Sequence, residues 1–492
     1  MSKLCDSLRQ AMERAGLKDG MTLSFHHHLR NGDHVLNMVL EEAARMGVKD
    51  LTVQASSLFD VHAPLIGHIQ RGVVTGIETD YMGGVLGKAV SQGLLDRPVV
   101  FRSHGGRPAA IESGRVHIDI AFIAAPTADC QGNLNGVYGP AACGSLGYAF
   151  SDARCAGKVV AVTDNLVPYP ASPASIDETL VDYVVRVDCI GDPQGIVSGT
   201  TRITRDPVGL RIAQYAAQVI EHSGLLKDGF SFQTGAGGAS LAVTQYLRPI
   251  MKQMGIKGGF GLGGITGYLV DMLEEGYFEQ LLDVQCFDLR AVQSIRDNPR
   301  HQEISAMRYA SPTAKSAAVD NLDVVILGAT QIDDHFNVNV HTDSSGQIMG
   351  GAGGHSDTAA GAKLTMIVAP LFRARLPIVV DQVLAVSTPG DTVDVLVTQR
   401  GIAVNPAKPQ LKAQLEQAGL PVYPIQELRE MAQRLTGVPQ PVPRGDRVVG
   451  LVEYRDGRII DEIYQIPYRN AFIKGAALKA GGRGTKRTPE EP

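Results

Sequence analysis

Glycine loops and cationic strand ends mark where this chain could do chemistry. Residues 350–363 read GGAGGHSDTAAGAK, with Gly350, Gly351, Gly353 and Gly354 around Ala352, and His355 and Asp357 close behind. Such a run reaches φ > 0 freely and lets backbone N–H groups approach a ligand with no Cβ in the way. The small and apolar residues 358–368 can continue as a helix whose N-terminus faces that ligand. A plain surface loop is the alternative. A second loop, QTGAGGAS at 233–240, follows a β-run ending at Phe232 and opens a helix. Its Gly235, Gly237 and Gly238 suit a phosphate or a developing oxyanion.

Two further loops carry side-chain charge. Residues 26–33 read HHHLRNGD, and in β geometry His26 and His28 share a face while His27 points the other way. A zinc site needs further ligands that the sequence does not assign, so no metal is assigned. A polyanionic ligand fits better, because Arg30 follows and RSHGGR (102–107) ends another β-run with Arg102, His104 and Arg107. Arginine presents a fork that matches carboxylates, which suits a substrate with several of them. A solvated strand end is the alternative for Arg102 and Arg107. GFGLGG (259–264) matches a dinucleotide fingerprint, but MGIKG before it reads as a helix end and turn. GGVLGKAV (83–90) lacks P-loop spacing, since Met82 stands where the first glycine belongs.

The elements that must position these loops come in duplicate. GLKDGMTLSF (16–25) lies over GLLKDGFSF (224–232), and DIAFIAAPTADCQGNLN (119–135) over DVVILGATQIDDHFNVN (323–339). Asp119, Asp129, Asn133 and Asn135 match Asp323, Asp333, Asn337 and Asn339, all 204 positions apart. Two homologous domains are therefore expected at 1–207 and 208–475, with a flexible basic tail at 476–492. Each half alternates apolar β-runs (51–54, 99–101, 118–124 and 159–163; 324–327, 366–368, 378–380 and 393–397) with helical stretches such as 34–46 and 240–254. That alternation predicts the α/β class, with a mostly parallel sheet covered by helices on both faces. STPGD at 387–391 reads as a hairpin turn.

Composition sets the frame. The chain has 492 residues, 44% hydrophobic and 20% charged, which describes a soluble multi-domain globular protein. A net charge of −5 argues against nucleic acid as a partner. Six scattered cysteines without a C-x-x-C pair suit a reducing cytoplasm, the polar start MSKLCDSLRQAMERAG is no signal peptide, and no apolar run is long enough for a membrane span.

Taken together, the residues resemble the acyl-CoA:carboxylate CoA-transferases, and among them the citrate lyase alpha-subunit family. The resemblance spans nearly the whole chain. It rests on FHHHLRNGD (25–33), SSLFDVHAPLIGHIQRGVVTGI (56–77), SHGGR (103–107), RITRDPVGL (202–210), FQTGAGGAS (232–240), GGAGGHSDTAAGA (350–362) and VTQRGIAVNP (397–406). The glycine motifs point to the superfamily, the histidine-rich and SSLFDVHAPL stretches to citrate lyase.

The resemblance implies two CoA-transferase-like α/β domains and transfer of an acyl-carrier-protein or CoA thioester from acetyl to citrate, giving citryl thioester and acetate. It implies no glutamyl nucleophile, since GLGGITG (261–267) stands where covalent relatives carry one and Glu274 and Glu275 sit in a helical, solvated stretch. Oxyanion donors would be Gly235, Gly237 and Gly238. Gly350, Gly351, Gly353, Gly354, His355 and Asp357 would take the CoA or pantetheine path, and His26, His28, Arg30, His104 and Arg107 would hold citrate. No cofactor is expected to be covalently bound, with acetyl-CoA or the phosphoribosyl-dephospho-CoA arm of a carrier subunit as substrate. Beta (lyase) and gamma (acyl carrier) subunits are the implied partners in an oligomeric complex. Alternatives are a citramalate CoA-transferase subunit, a covalent acetyl-CoA:carboxylate CoA-transferase or acyl-CoA hydrolase, and a non-catalytic CoA- or citrate-binding regulator.

Overall fold

Short apolar segments, buried on both faces, build two large sheets in the computed structural model, which describes residues 2–197, 202–235 and 237–467. The first sheet holds β1 (Leu4–Cys5), β2 (Thr22–Phe25), β3 (Leu51–Ala55), β4 (Val74–Thr79), β5 (Val99–Phe101), β6 (Ile120–Ala124), β7 (Lys158–Thr163) and β8 (Tyr183–Arg186). Their spatial order is β1-β8-β7-β6-β2-β3-β4-β5, every pair parallel. The second holds β9 (Ser231–Thr234), β10 (Gly258–Ile265), β11 (Phe278–Cys286), β12 (His301–Glu303), β13 (Val324–Leu327), β14 (Leu364–Val368), β15 (Val395–Thr398) and β16 (Gly401–Val404). Their order is β12-β11-β10-β9-β13-β14-β15-β16, parallel except for the closing β15–β16 hairpin. All residues of β6, β13 and β14 are buried, as expected for strands covered by helices on both faces.

The two orders are the same word spelt twice: β5-β4-β3-β2-β6-β7-β8 reads position for position against β12-β11-β10-β9-β13-β14-β15. The four repeated polar residues are the joints of that repeat. Asp119 and Asp323 accept from the N–H groups of Thr22 and Ser231, which open the central strands. Asp129 and Asp333 each fold a turn by accepting from N–H groups two and four residues on. Asn135 and Asn339 do so at two and three.

Several expectations are corrected. The segment 208–475 is not one unit. Its hairpin β17 (Val448–Glu453) and β18 (Ile459–Tyr464) leaves the second half and joins the first sheet, β17 pairing in parallel with β5. This covers an edge strand that would otherwise offer unpaired backbone groups. Residues 358–368 are not one helix: His355–Gly361 is helical, and the apolar run beyond it is β14. The 387–391 segment is no hairpin turn but leads into a 3₁₀ turn at Gly390–Thr392. GFGLGG is the body of β10, in keeping with the sequence reading that set the dinucleotide fingerprint aside. The tail 476–492 lies outside the described residues. Among the described residues, no helix is long and apolar enough to cross a membrane.

Candidate functional site

Ligands of open α/β sheets bind beyond the carboxyl ends of the strands, and here the two sets of strand-end loops meet each other. A closed circuit of contacts runs through both halves. The His27 and His104 rings lie 5.7 Å apart, and a Cβ built on Gly353 would sit 3.3 Å from His104 Nε2. Gly354 packs directly under the Tyr309 hydroxyl, which accepts from Gln233 Nε2 at 2.9 Å. The Gln233 amide covers Gly263, and Gly264 backs onto the Phe287 ring. The Arg30 guanidinium lies 4.7 Å from the Phe287 centroid and 5.5 Å from that of Phe59, whose ring is 6.0 Å from His27. Beside Arg30 opens a cavity of about 670 Å³ lined also by Asn31, Tyr81, Gly83 and Gly84.

Arg30 is the cation this circuit leaves unspent. It is a non-glycine residue at φ 52°, a conformation that costs on the order of 1–3 kcal/mol and persists only where the surroundings impose it. Its Nε and Nη1 are buried with no hydrogen-bond partner among the described residues. A guanidinium held between two rings, one from each half, with free forked donors, is built to receive a carboxylate.

The other residues expected to hold citrate divide. His104 stays in the circuit, with Nδ1 2.8 Å from Asp80 Oδ2, so its Nε2 faces the glycine loop. His26 and His28 are not cationic. Burial lowers the pKa of His26 to about 4 and drives that of His28 well below the usual imidazole range. Their Nε2 atoms accept from the N–H groups of Ala124 and Tyr148, which leaves a neutral Nδ1–H, buried and unpartnered, on each ring. Arg107 is withdrawn altogether. It is 1% exposed and bonds to Asp152 and Ser24 at 2.9 Å and to Gln54 at 2.7 Å. Arg102 is likewise taken, between Glu78 and Glu453.

The glycine loops also serve differently from expectation. Gly235 N–H donates to Ile326 O at 2.7 Å and is not free as an oxyanion donor. Gly237 and Gly238 begin the helix Gly238–Met254, where the first N–H groups lack intrahelical acceptors. In the other loop, Gly350 N–H donates to His341 O and Gly353 N–H to Asp80 O, while Gly353 O accepts from His104 N at 2.8 Å. A side chain on Gly351 would collide with the Asp80 carbonyl. This loop is therefore a strap across the two halves. His355 and Asp357 are engaged by protein. The imidazole bridges Thr388 Oγ1 at 2.7 Å and Gly328 O at 2.9 Å. Asp357 accepts from Ser103 Oγ and Gly105 N, each at 2.8 Å. Burial raises the Asp357 pKa to about 6.

Sequence reasoning passed over Gln233, Tyr309, Phe59, Tyr81, Asp80 and Phe287. Only Gln233 left a signal, as the first residue of QTGAGGAS after a strand. Glu274 and Glu275 are exposed and paired with Arg290 and Arg248.

Comparison with known proteins agrees with this architecture. The profile of the citrate lyase alpha-subunit family matches residues 1–466. The citrate lyase alpha chain of Klebsiella pneumoniae is 53% identical, the match covering 94% of this chain and 91% of that one. A crystal structure of the putative alpha subunit of citrate lyase from Streptococcus mutans, in complex with citrate, superposes with a TM-score of 0.93 at 50% identity, covering 95% of this chain and 92% of that one. A 4-hydroxybutyrate CoA-transferase from Porphyromonas gingivalis shares the fold at a TM-score of 0.56 and 17% identity, over 88% of this chain and 97% of that one. The chain belongs to the citrate lyase alpha-subunit family.

Proposed function

We propose that this chain transfers a thioester-bound carrier from acetate to citrate, as the transferase subunit of a multi-subunit citrate lyase. The thioester is carried by a CoA-like arm, on an acyl carrier subunit or as acetyl-CoA, and a separate lyase subunit consumes the citryl product. A citrate carboxylate oxygen attacks the acetyl thioester carbonyl, and the C–S bond breaks to leave a mixed anhydride and a thiolate. The thiolate then attacks the citryl carbonyl, and the C–O bond breaks to release acetate. Neither step calls for a general base, because the nucleophile is already an anion. What the protein supplies is position, worth several kcal/mol, and donors to each tetrahedral oxyanion, roughly 3–4 kcal/mol for a good one.

The observation that carries this reading is the unspent guanidinium of Arg30 in a circuit whose β10 strand, GGFGLGGI, carries no carboxylate. Side chains are barred there. A Cβ on Gly261 would come 2.7 Å from Leu281, one on Gly263 would come 2.8 Å from Gln233 at φ 100°, and one on Gly264 would collide with Phe287. These contacts favour direct transfer over a glutamyl intermediate. Arg30 anchors citrate, with the neutral Nδ1–H groups of His26 and His28 and the imidazole of His104 as further contacts. The test is acetate release from carbonyl-labelled acetyl-CoA on addition of citrate, run alongside borohydride trapping. Citrate-dependent release with an unmodified chain is expected. A reduced or acylated carboxylate formed at the rate of turnover refutes direct transfer, and turnover with citramalate alone reassigns the acceptor.

A further inference from the structure

Gln233 lies in β9, the central strand of the second sheet, one residue before its end, and is 7% exposed. Its amide is wedged between the two glycine segments. On one side lies Gly263, where a Cβ would come within 3.0 Å of Cδ, Nε2 and Oε1 alike, so the amide plane covers the bare Cα. On the other side, Nε2 is 2.9 Å from the hydroxyl of Tyr309, which Gly354 accommodates by having no side chain. Tyr309 is 2% exposed. Gln233 Oε1 is buried and has no hydrogen-bond partner among the described residues. A buried polar atom left without a partner costs about 1–3 kcal/mol, and few are tolerated without a reason.

Rotation of the amide by 180° exchanges the unpartnered acceptor for unpartnered donors. Tyr309 then donates its O–H to Oε1, and the Nε2–H donors occupy the position without a protein partner, where an oxygen of a ligand can accept from them. We infer that Gln233 is a catalytic residue that binds the acyl oxygen, with Tyr309 as the positioning residue that fixes its amide. The inference rests on the transfer reading above and adds a side-chain donor to it. The glycines at 263 and 354 are then explained by the amide and hydroxyl they admit, rather than by a close approach of backbone to ligand.

The test uses the full-length chain with acetyl-CoA labelled with ¹³C at the carbonyl. In the wild-type protein, the infrared stretch of the bound carbonyl moves to lower frequency. In Gln233→Leu, and in the isosteric Gln233→Glu, which keeps the shape but lacks the N–H donors, that displacement is lost. In both, kcat for citrate-dependent acetate release falls about 10²–10³-fold, while KM for citrate stays within threefold. Tyr309→Phe loses part of the displacement and about tenfold in kcat with an unchanged unfolding midpoint, which a purely structural tyrosine would not do. Equal carbonyl frequencies in wild type and Gln233→Glu, or a kcat within threefold of wild type, overturn the inference. A carbonyl displacement that depends on Gln233 in a wild-type protein with no citrate-dependent release upholds the oxygen contact and refutes the transfer reading instead.

Discussion

Arg30 holds a backbone conformation that a glycine would adopt without strain, and it keeps its donors unpaired. Replacing it with glutamine removes the charge and leaves the aromatic stacking partly intact. KM for citrate should rise about 10- to 100-fold, the worth of a charge-assisted contact, with little change in Tm. An unchanged KM would remove Arg30 from the acceptor site. The buried histidines make a separate prediction. Burial lowers the folded-state pKa of His26, His27, His28, His341 and His355, to about 4, 3 and 4 for His26, His341 and His355. Between the ordinary 6.5 and those values, the unfolded chain binds more protons than the folded one, so stability falls as pH drops through that window. Asp357, raised to about 6, acts with the opposite sign between its ordinary 3.8 and that value, and burial raises Asp80, Asp164, Glu303 and Asp334 in the same sense. Between pH 7.5 and 5.5, however, it is the imidazoles of the unfolded chain that cross their ordinary value. The urea midpoint should therefore be lower at pH 5.5 than at pH 7.5, and an equal or higher midpoint at pH 5.5 contradicts neutral burial. At this scale the sequence displays types but not pairings. Arg30 was legible as a cation, and so was Arg107. What separates them is that Asp152, Ser24 and Gln54, all remote in the chain, converge on Arg107 alone.

The elements were more legible than the residues, and for a physical reason. Alternation of buried apolar runs with helices is local, and so is the turn chemistry of the repeated Asp and Asn residues. Pairing across the molecule is not local, which is why the β17–β18 hairpin was assigned to the wrong half and β10 was left out of the expected strands. The glycine strap illustrates the difference. Freedom of φ was visible at 350–354, but only the packed structure shows that Gly351 lies against the Asp80 carbonyl. Gly351→Ala should lower stability by about 1–3 kcal/mol through overpacking, whereas Gly328→Ala, with nothing within 4 Å of its Cβ position, should cost well under that. Equal effects in calorimetry would show that the strap is not close-packed. The hairpin has its own test. Glu453 accepts from Arg102 at 3.1 Å and Arg115 at 3.0 Å, and Arg102 is only 7% exposed. Glu453→Ala strands much of that buried guanidinium and should cost about 3–5 kcal/mol by chemical denaturation. A loss below 1 kcal/mol would mean the pair is solvated.

For the molecule as a whole, the duplication has been kept in architecture and spent in chemistry. Strand order is conserved between the halves, while the segments that follow the equivalent strands carry histidines in one and glycines in the other. The circuit of side chains closes only when both are present. Separate expression of residues 1–207 and 208–467 should leave the first fragment with β5 as a bare edge and prone to aggregate. Mixing the two fragments during refolding should restore a 1:1 complex, measurable by size-exclusion chromatography. A first fragment that is monodisperse and unfolds cooperatively at the temperature of the intact chain contradicts this.

The route of the backbone carries one more implication. The chain leaves the first sheet after β8 and returns to it at β17, so the second lobe is spliced into the first and anchored at two crossings rather than hung from a single linker. Two anchors forbid a free swing. They leave a rocking motion about the line that joins them, so any opening that admits a bulky thioester arm must bend both crossings in concert.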